Sequence, residues 1–150
     1  MEIERKYLIK KLPSDLNIVA SRIIEQGYLC TEPVVRIRRD NDDYILTYKS
    51  KGLMVREEYN LPLTKEAYEH LKGKVDGRLI SKTRHVIPIE TESRLKIELD
   101  IFHGNLEPLM LAEVEFPDEE SANSFVAPEW FGEDVTFSSK YHNSNLSKME

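Results

Sequence analysis

The feature that most constrains this chain is an alternation of charged and apolar residues, repeated in one short stretch after another. In VVRIRRD, Arg36 and Arg38 fall on one face of an extended strand, with Val35 and Ile37 opposite. In RLKIELDIF, Lys96, Glu98 and Asp100 share a face, backed by Leu95, Ile97, Leu99 and Ile101. In LAEVEFP the pair is Glu113 and Glu115, backed by Ala112, Val114 and Phe116. ILTYKSKG sets Thr47, Lys49 and Lys51 together, VREEYNL sets Arg56, Glu58 and Asn60, and LISKTRH sets Lys82 and Arg84. The opening MEIERKYLIK does the same with Glu2, Glu4 and Lys6 against Ile3, Arg5 and Tyr7. A period of two is the signature of strands, because successive side chains leave a pleated backbone on opposite sides.

An open sheet with one solvated face produces alternation too, but such a face intersperses signs and neutral polar groups. Here like charges pair: Glu2 with Glu4, Glu113 with Glu115, Arg36 with Arg38, Lys82 with Arg84. Like charges crowded together repel unless something of opposite sign lies between them. Carboxylate oxygens suit a hard divalent cation, and arginine forks and lysine ammoniums suit phosphate oxygens. The two groups together point to a metal-bound oligophosphate. A closed barrel would turn these faces inward around one small ligand, which requires helices over the apolar outer surface.

Charged residues make up 32% of the 150 residues, well above the usual quarter. The length suits one domain, residues 1–150, with one adequate core. A net charge of −6 argues against nucleic acid as a partner. No apolar run is long enough to span a membrane, and the charged start lacks a signal-peptide core. With Cys30 as the lone cysteine, the chain reads as cytoplasmic. The four histidines have no zinc-site spacing.

The expected elements are a first strand near residues 3–9 and then an amphipathic helix over residues 12–28. Ser14 caps that helix and Gly27 stops it. Hairpins follow, one with DNDD at its tip and one turning near Gly52. Thr64 caps a helix beginning near residue 65, and Asp118 caps another. Strands follow from RLISKTRHVIPI, SRLKIELDIF and MLAEVEF, and a short helix ends the chain in VTFSSKYHNSNLSK. With roughly eight strands, mostly consecutive, the class is α+β: an antiparallel sheet or barrel with covering helices. Arg5 points away from the charged face and is expected to bridge to a helix. Lys51 reads as solvated beside Gly52, Lys96 as a surface strand end, and Trp130 as core packing.

The Glu2-Ile3-Glu4-Arg5-Lys6 opening resembles the ExExK signature of the CYTH superfamily, also called triphosphate tunnel metalloenzymes. Arg36/Arg38, Lys49, Arg56/Glu58, Lys82/Arg84, Glu98/Asp100, Glu113/Glu115 and Lys140 follow in order, so the resemblance spans nearly the whole chain. It implies an eight-stranded antiparallel β-barrel, a tunnel that binds triphosphates with Mg²⁺ or Mn²⁺. It also implies Glu2, Glu4, Asp100, Glu113 and Glu115 as metal ligands, with Glu2, Glu4 and Lys49 in catalysis. Lys6, Arg36, Arg38, Lys49, Arg56, Lys82, Arg84 and Lys140 would bind phosphate. The expected activity is hydrolysis of inorganic tripolyphosphate. The alternatives are adenylyl cyclase or thiamine triphosphatase activity, and a non-catalytic polyphosphate- or nucleotide-binding module. A homodimer is a possible assembly. Few aromatic residues lie on the charged faces, which favours an inorganic substrate over a nucleotide.

Overall fold

The computed structural model describes residues 1–89 and 94–147. Its strands are β1 (Glu2–Leu8), β2 (Ala20–Thr31), β3 (Val34–Asp40), β4 (Asp43–Lys49), β5 (Val55–Arg56), β6 (Glu58–Pro62), β7 (Asp76–Pro88), β8 (Lys96–Phe102) and β9 (Met110–Glu115). The helices are α1 (Lys65–Lys72), α2 (Glu119–Ser124) and α3 (Asn143–Leu146), with 3₁₀ turns at Gly104–Leu106 and Ser139–Tyr141. The expected strand start at residue 93 and the terminal helix end at residue 148 lie outside the described residues. Among the described residues, no helix is long and apolar enough to cross a membrane.

The strands form one antiparallel sheet in the order β5-β1-β9-β8-β7-β2-β3-β4-β6. Its two ends, β5 and β6, are consecutive in sequence and separated only by Glu57. β5 pairs with β1 through Glu2 and Arg56, while β6 pairs with β4 through Lys49 and Glu58. One short segment therefore bridges both edges and nearly closes the barrel. Among the described residues there are nine strands where eight were expected, and the expected eight did not include β2.

The expected helix over residues 12–28 is a correction: from Ala20 onward that segment is β2. The β-branched Ile23 and Ile24 suit a strand. Pairing with β3 on one side and β7 on the other satisfies the backbone along both edges. An isolated helix would have left that gap in the barrel open. Gly27 is no helix stop. A Cβ there would lie 2.7 Å from Val75 Cγ1 and 2.9 Å from Leu79 Cδ2, so any side chain at this position must push both aside.

The apolar faces of β1, β8 and β9 point outward, as an inverted barrel requires. Ile3, Tyr7, Ile97, Leu99, Ala112 and Val114 are buried there. Ala122 of α2, Phe125, Trp130 and Phe131 cover them, with Leu12 and Leu16. Arg5, also outward, donates to the Ala122 carbonyl at 2.7 Å and pairs with Asp134, anchoring α2 and the following loop to β1. The Thr64 cap forms as expected, with Oγ1 accepting from Ala67 N at 3.0 Å, an interaction of about 1 kcal/mol.

A second cluster lies at one end of the barrel. Ile80, Phe102, Leu111 and Val34 share parity with Lys82, Asp100, Glu113 and Arg36, so they continue the inner face. Leu146 of α3 and Val135 pack on them. The interior is charged along its middle and apolar at this end.

Candidate active site

The inner face encloses a polar cavity of about 560 Å³, open space at its mouth included. β1 supplies Glu2, Glu4 and Lys6, and β9 supplies Glu113 and Glu115. Register fixes their relation: Glu4 lies directly opposite Glu115, and Lys6 opposite Glu113. Glu98 of β8 lies opposite Glu113 on the other side. The basic wall carries Arg36 and Arg38 from β3, Lys49 from β4, Arg56 from β5 and Arg84 from β7, with β5 adjoining β1 and β7 adjoining β8.

Lys49 bridges the two walls, while Lys6 pairs with Glu113 within the carboxylate wall. Lys49 Nζ lies 3.0 Å from both Glu2 oxygens and 3.5 Å from Glu58 Oε2. Lys6 Nζ lies 3.5 Å from Glu113 Oε1 and donates to the Tyr141 carbonyl at 3.2 Å. The 3₁₀ turn and α3 thus seat against the cavity, and Asn143 joins its lining. His142 is held at about 4 by burial and by Lys6, Arg56 and Lys49, so it is neutral at physiological pH.

The carboxylates titrate unequally. Glu4 is pushed up to about 8 by burial and by the charges of Glu113 and Glu2. Glu115 is raised by burial, Glu2 and Glu58. Glu113 is buried, which by itself would raise it, but Lys6 and Arg84 hold it well below the usual range. The oxygen donors of Glu2, Glu4, Glu113 and Glu115 suit a hard divalent cation, and Glu4 is raised by burial and by Glu113 and Glu2 although Lys49 and Lys6 oppose the shift. Among the described residues, no three His, Cys, Asp or Glu side chains are gathered about one point as a ready metal site. Lys49 and Lys6 instead occupy Glu2 and Glu113.

The arginines are the complement. Arg36 and Arg38 form no ion pair with a carboxylate among the described residues. Arg36 Nη2 donates to Thr47 Oγ1 at 3.2 Å, while its buried Nε has no hydrogen-bond partner. Arg38 donates from Nε and Nη2 to Gln26 Oε1, at 2.9 and 2.6 Å. Burial, then Arg36 and Arg84, lower Arg38 to about 9. Guanidiniums crowded this way call for an anion with several oxygens.

The expected site residues converge on this cavity, with three exceptions. Asp100 is fully buried and does not line it. Both its oxygens are taken by Arg84, so it is not placed as a metal ligand. Lys82 is likewise fully buried, 2.7 Å from Asp100 Oδ2; burial lowers it to about 7 even with Asp100 raising it. Lys140 is exposed, its ammonium 5.2 Å from the Tyr141 ring centre, because the 3₁₀ turn directs it away from the barrel. Lys51 and Lys96 are exposed as expected. Tyr28, Val34 and Asn143 line the cavity without having been expected there, and Glu58 and Glu98, for which no definite role was fixed from sequence, line it too. Glu58 and Glu98 lay on charged stripes already read. Gln26 and Tyr28 were hidden by the helix reading, although Ile24, Gln26 and Tyr28 keep a period of two.

With this geometry in place, the chain was compared with known proteins. The model of the CYTH domain matches residues 1–150. An inorganic triphosphatase of Nitrosomonas europaea is 40% identical over 97% of this chain and 96% of its own. An inorganic triphosphatase of Acetivibrio thermocellus is 35% identical over 98% of this chain and 93% of its own. A crystal structure of an inorganic triphosphatase superposes with a TM-score of 0.75 at 36% identity, covering all of this chain and 96% of the other.

Proposed function

This chain belongs to the CYTH family, and from that premise we propose that it is a metal-dependent triphosphatase, hydrolysing inorganic tripolyphosphate to diphosphate and phosphate. The observation that supports the reading is the division of one cavity into a carboxylate wall and a basic wall on which Arg36 and Arg38 have no carboxylate partner among the described residues. The relatives named inorganic triphosphatase, matched nearly end to end, support the choice of substrate. So does the lining, in which Tyr28 is the one aromatic side chain among the described residues and no platform for a base is built.

Glu2, Glu4, Glu113 and Glu115 would hold Mg²⁺ or Mn²⁺. When bound, the ion supplies Lewis-acid charge against the phosphate oxygens and lowers the pKa of nearby water. Arg36, Arg38, Arg56 and Arg84 neutralise the phosphate chain and align it with the carboxylate wall, which is where most of the rate enhancement for phosphoryl transfer arises. Lys6 and Lys49, at the seam, exchange carboxylate for phosphate oxygen as the chain enters. Glu2 orients the attacking water. The water oxygen bonds to the terminal phosphorus, the bridging P–O bond breaks, and diphosphate leaves against the arginines. The water proton passes to solvent through the carboxylate wall.

The test is phosphate release from tripolyphosphate, ATP and thiamine triphosphate, each with Mg²⁺ and with Mn²⁺, together with an assay for cyclic AMP. Tripolyphosphate is expected to be the best substrate, with no turnover after chelation. Glu4→Gln and Arg38→Ala should each lower its turnover by about 10² or more. Full activity in both variants, or faster cyclic AMP formation than phosphate release, would overturn the reading.

A further inference from the structure

Lys82 and Asp100 lie behind the cavity wall rather than on it, and neither exposes any surface. Asp100 sits directly opposite Arg84 in the β7–β8 register. Arg84 Nε donates to Asp100 Oδ1 at 2.7 Å, and Nη2 donates to Oδ2 at 2.9 Å. Lys82 Nζ lies 2.7 Å from that same Oδ2 and pairs with no second carboxylate among the described residues. Its ammonium is 5.3 Å from the centre of the Phe102 ring, on the apolar side of the barrel interior. Two of the three Arg84 nitrogens are therefore fixed from behind. The third, Nη1, donates to Glu98 Oε2 at 3.2 Å, and Arg84 lines the cavity.

A bidentate arginine–carboxylate pair fixes the guanidinium plane as well as its position. An arginine free to rotate would lose side-chain entropy on gripping a phosphate, and one already clamped avoids that loss. Lys82 adds a second cation to Asp100, so the carboxylate cannot rotate away from Arg84 without exposing a buried ammonium. We propose that Asp100 and Lys82 are positioning residues that act through Arg84, presenting its guanidinium to the phosphate chain in one orientation. The role rests on the triphosphatase reading. It moves both residues from direct contact with metal or phosphate to a buried clamp.

The experiment is a double-mutant cycle with Lys82→Met and Arg84→Lys, reading kcat and KM for tripolyphosphate with Mg²⁺. Lysine at position 84 keeps a cation beside Asp100 but lacks the planar fork. Lys82→Met should lower kcat/KM about tenfold in the native background and less than about twofold once Arg84 is Lys. An undiminished effect in the Arg84→Lys background would mean that Lys82 acts on the substrate independently, and would overturn the proposal. A second reading needs no substrate. In ¹⁵N-arginine-labelled protein, the Arg84 Nε–H should give a slowly exchanging NMR signal that exchanges faster in Lys82→Met and in Asp100→Asn. Fast exchange in the native protein would sink the clamp even if every variant folded and turned over. Absence of tripolyphosphate hydrolysis in the native protein would instead refute the triphosphatase reading, leaving the clamp to be judged on the Arg84 signal.

Discussion

Lys49 and Glu2 form an ion pair inside the barrel, the lysine ammonium 3.0 Å from both carboxylate oxygens. One belongs to the basic wall and the other to the carboxylate wall, so under the proposed function each stands where the other's ligand would bind. A cation arriving at Glu2 must displace the ammonium, and the displaced ammonium is then available to phosphate. Lys49→Met should therefore bind Mn²⁺ more tightly than the native protein in the absence of substrate, by about threefold to tenfold, because a competing charge is gone. Its turnover of tripolyphosphate should fall by about 10². Mn²⁺ titration followed by electron paramagnetic resonance reads the first effect; unchanged or weaker binding would contradict the exchange.

The Glu4 carboxyl, pushed up to about 8 by burial, Glu113 and Glu2, carries a proton at neutral pH when no metal is present. Metal binding must expel that proton. Mn²⁺ affinity should therefore rise with pH up to about 8 and flatten above it, with about one proton released per ion at pH 7. Calorimetry in buffers of different ionisation enthalpy measures the release, and Glu4→Gln should abolish it.

The same shift sets a stability trend. The folded pKa of Glu4 lies above its unfolded value near 4.5, so the folded state binds the proton more tightly. This contribution is fully present below pH 4.5 and is lost as pH rises through about 8. The Tm of the metal-free protein should fall more steeply between pH 5 and pH 9 than that of Glu4→Gln, as thermal denaturation followed by circular dichroism would read. Parallel curves would assign the trend to other groups.

Gln26 holds Arg38 by two hydrogen bonds to one amide oxygen, orienting the guanidinium without neutralising it. Gln26→Glu keeps the shape and adds a charge. The new carboxylate should pair with Arg38 and raise KM for tripolyphosphate about tenfold with a smaller change in kcat. A KM unchanged by this substitution would remove Arg38 from the substrate-binding set.

Gly27→Ala reads the β2 geometry directly. A Cβ at this position meets Val75 and Leu79 at under 3.0 Å, so both must move. The expected loss is about 1–3 kcal/mol, seen as a Tm lower by several degrees with metal and substrate affinity little changed once folded. A helix stop at Gly27 would predict a loss nearer the few tenths to 1 kcal/mol typical of a glycine cap.

The alternation of charged and apolar residues was enough to read the two-faced strands. It also segregated Glu2, Glu4, Glu113 and Glu115 from Arg36, Arg38, Lys49, Arg56 and Arg84, because the pleat assigns parity locally, whatever the rest of the fold does. The helices α1 and α2, with their caps at Thr64 and Asp118, were legible for the same reason, since a cap is a contact within one turn. Parity says which face a residue takes, but not how far along the barrel it sits or what stands in front of it. Only the register of β7 with β8 buries Asp100 and Lys82 behind Arg84, and only the turn at Ser139–Tyr141 sends Lys140 outward. β2 marks the same boundary. Residues 12–28 carry a helical spacing, and from Ala20 onward the segment is a strand because β3 and β7 offer it hydrogen bonds on both edges. The sequence by itself determined a charged interior and an apolar exterior. The tertiary structure decided which charges meet and which are sealed behind others, because those relations depend on strand registers set by pairing across the whole barrel.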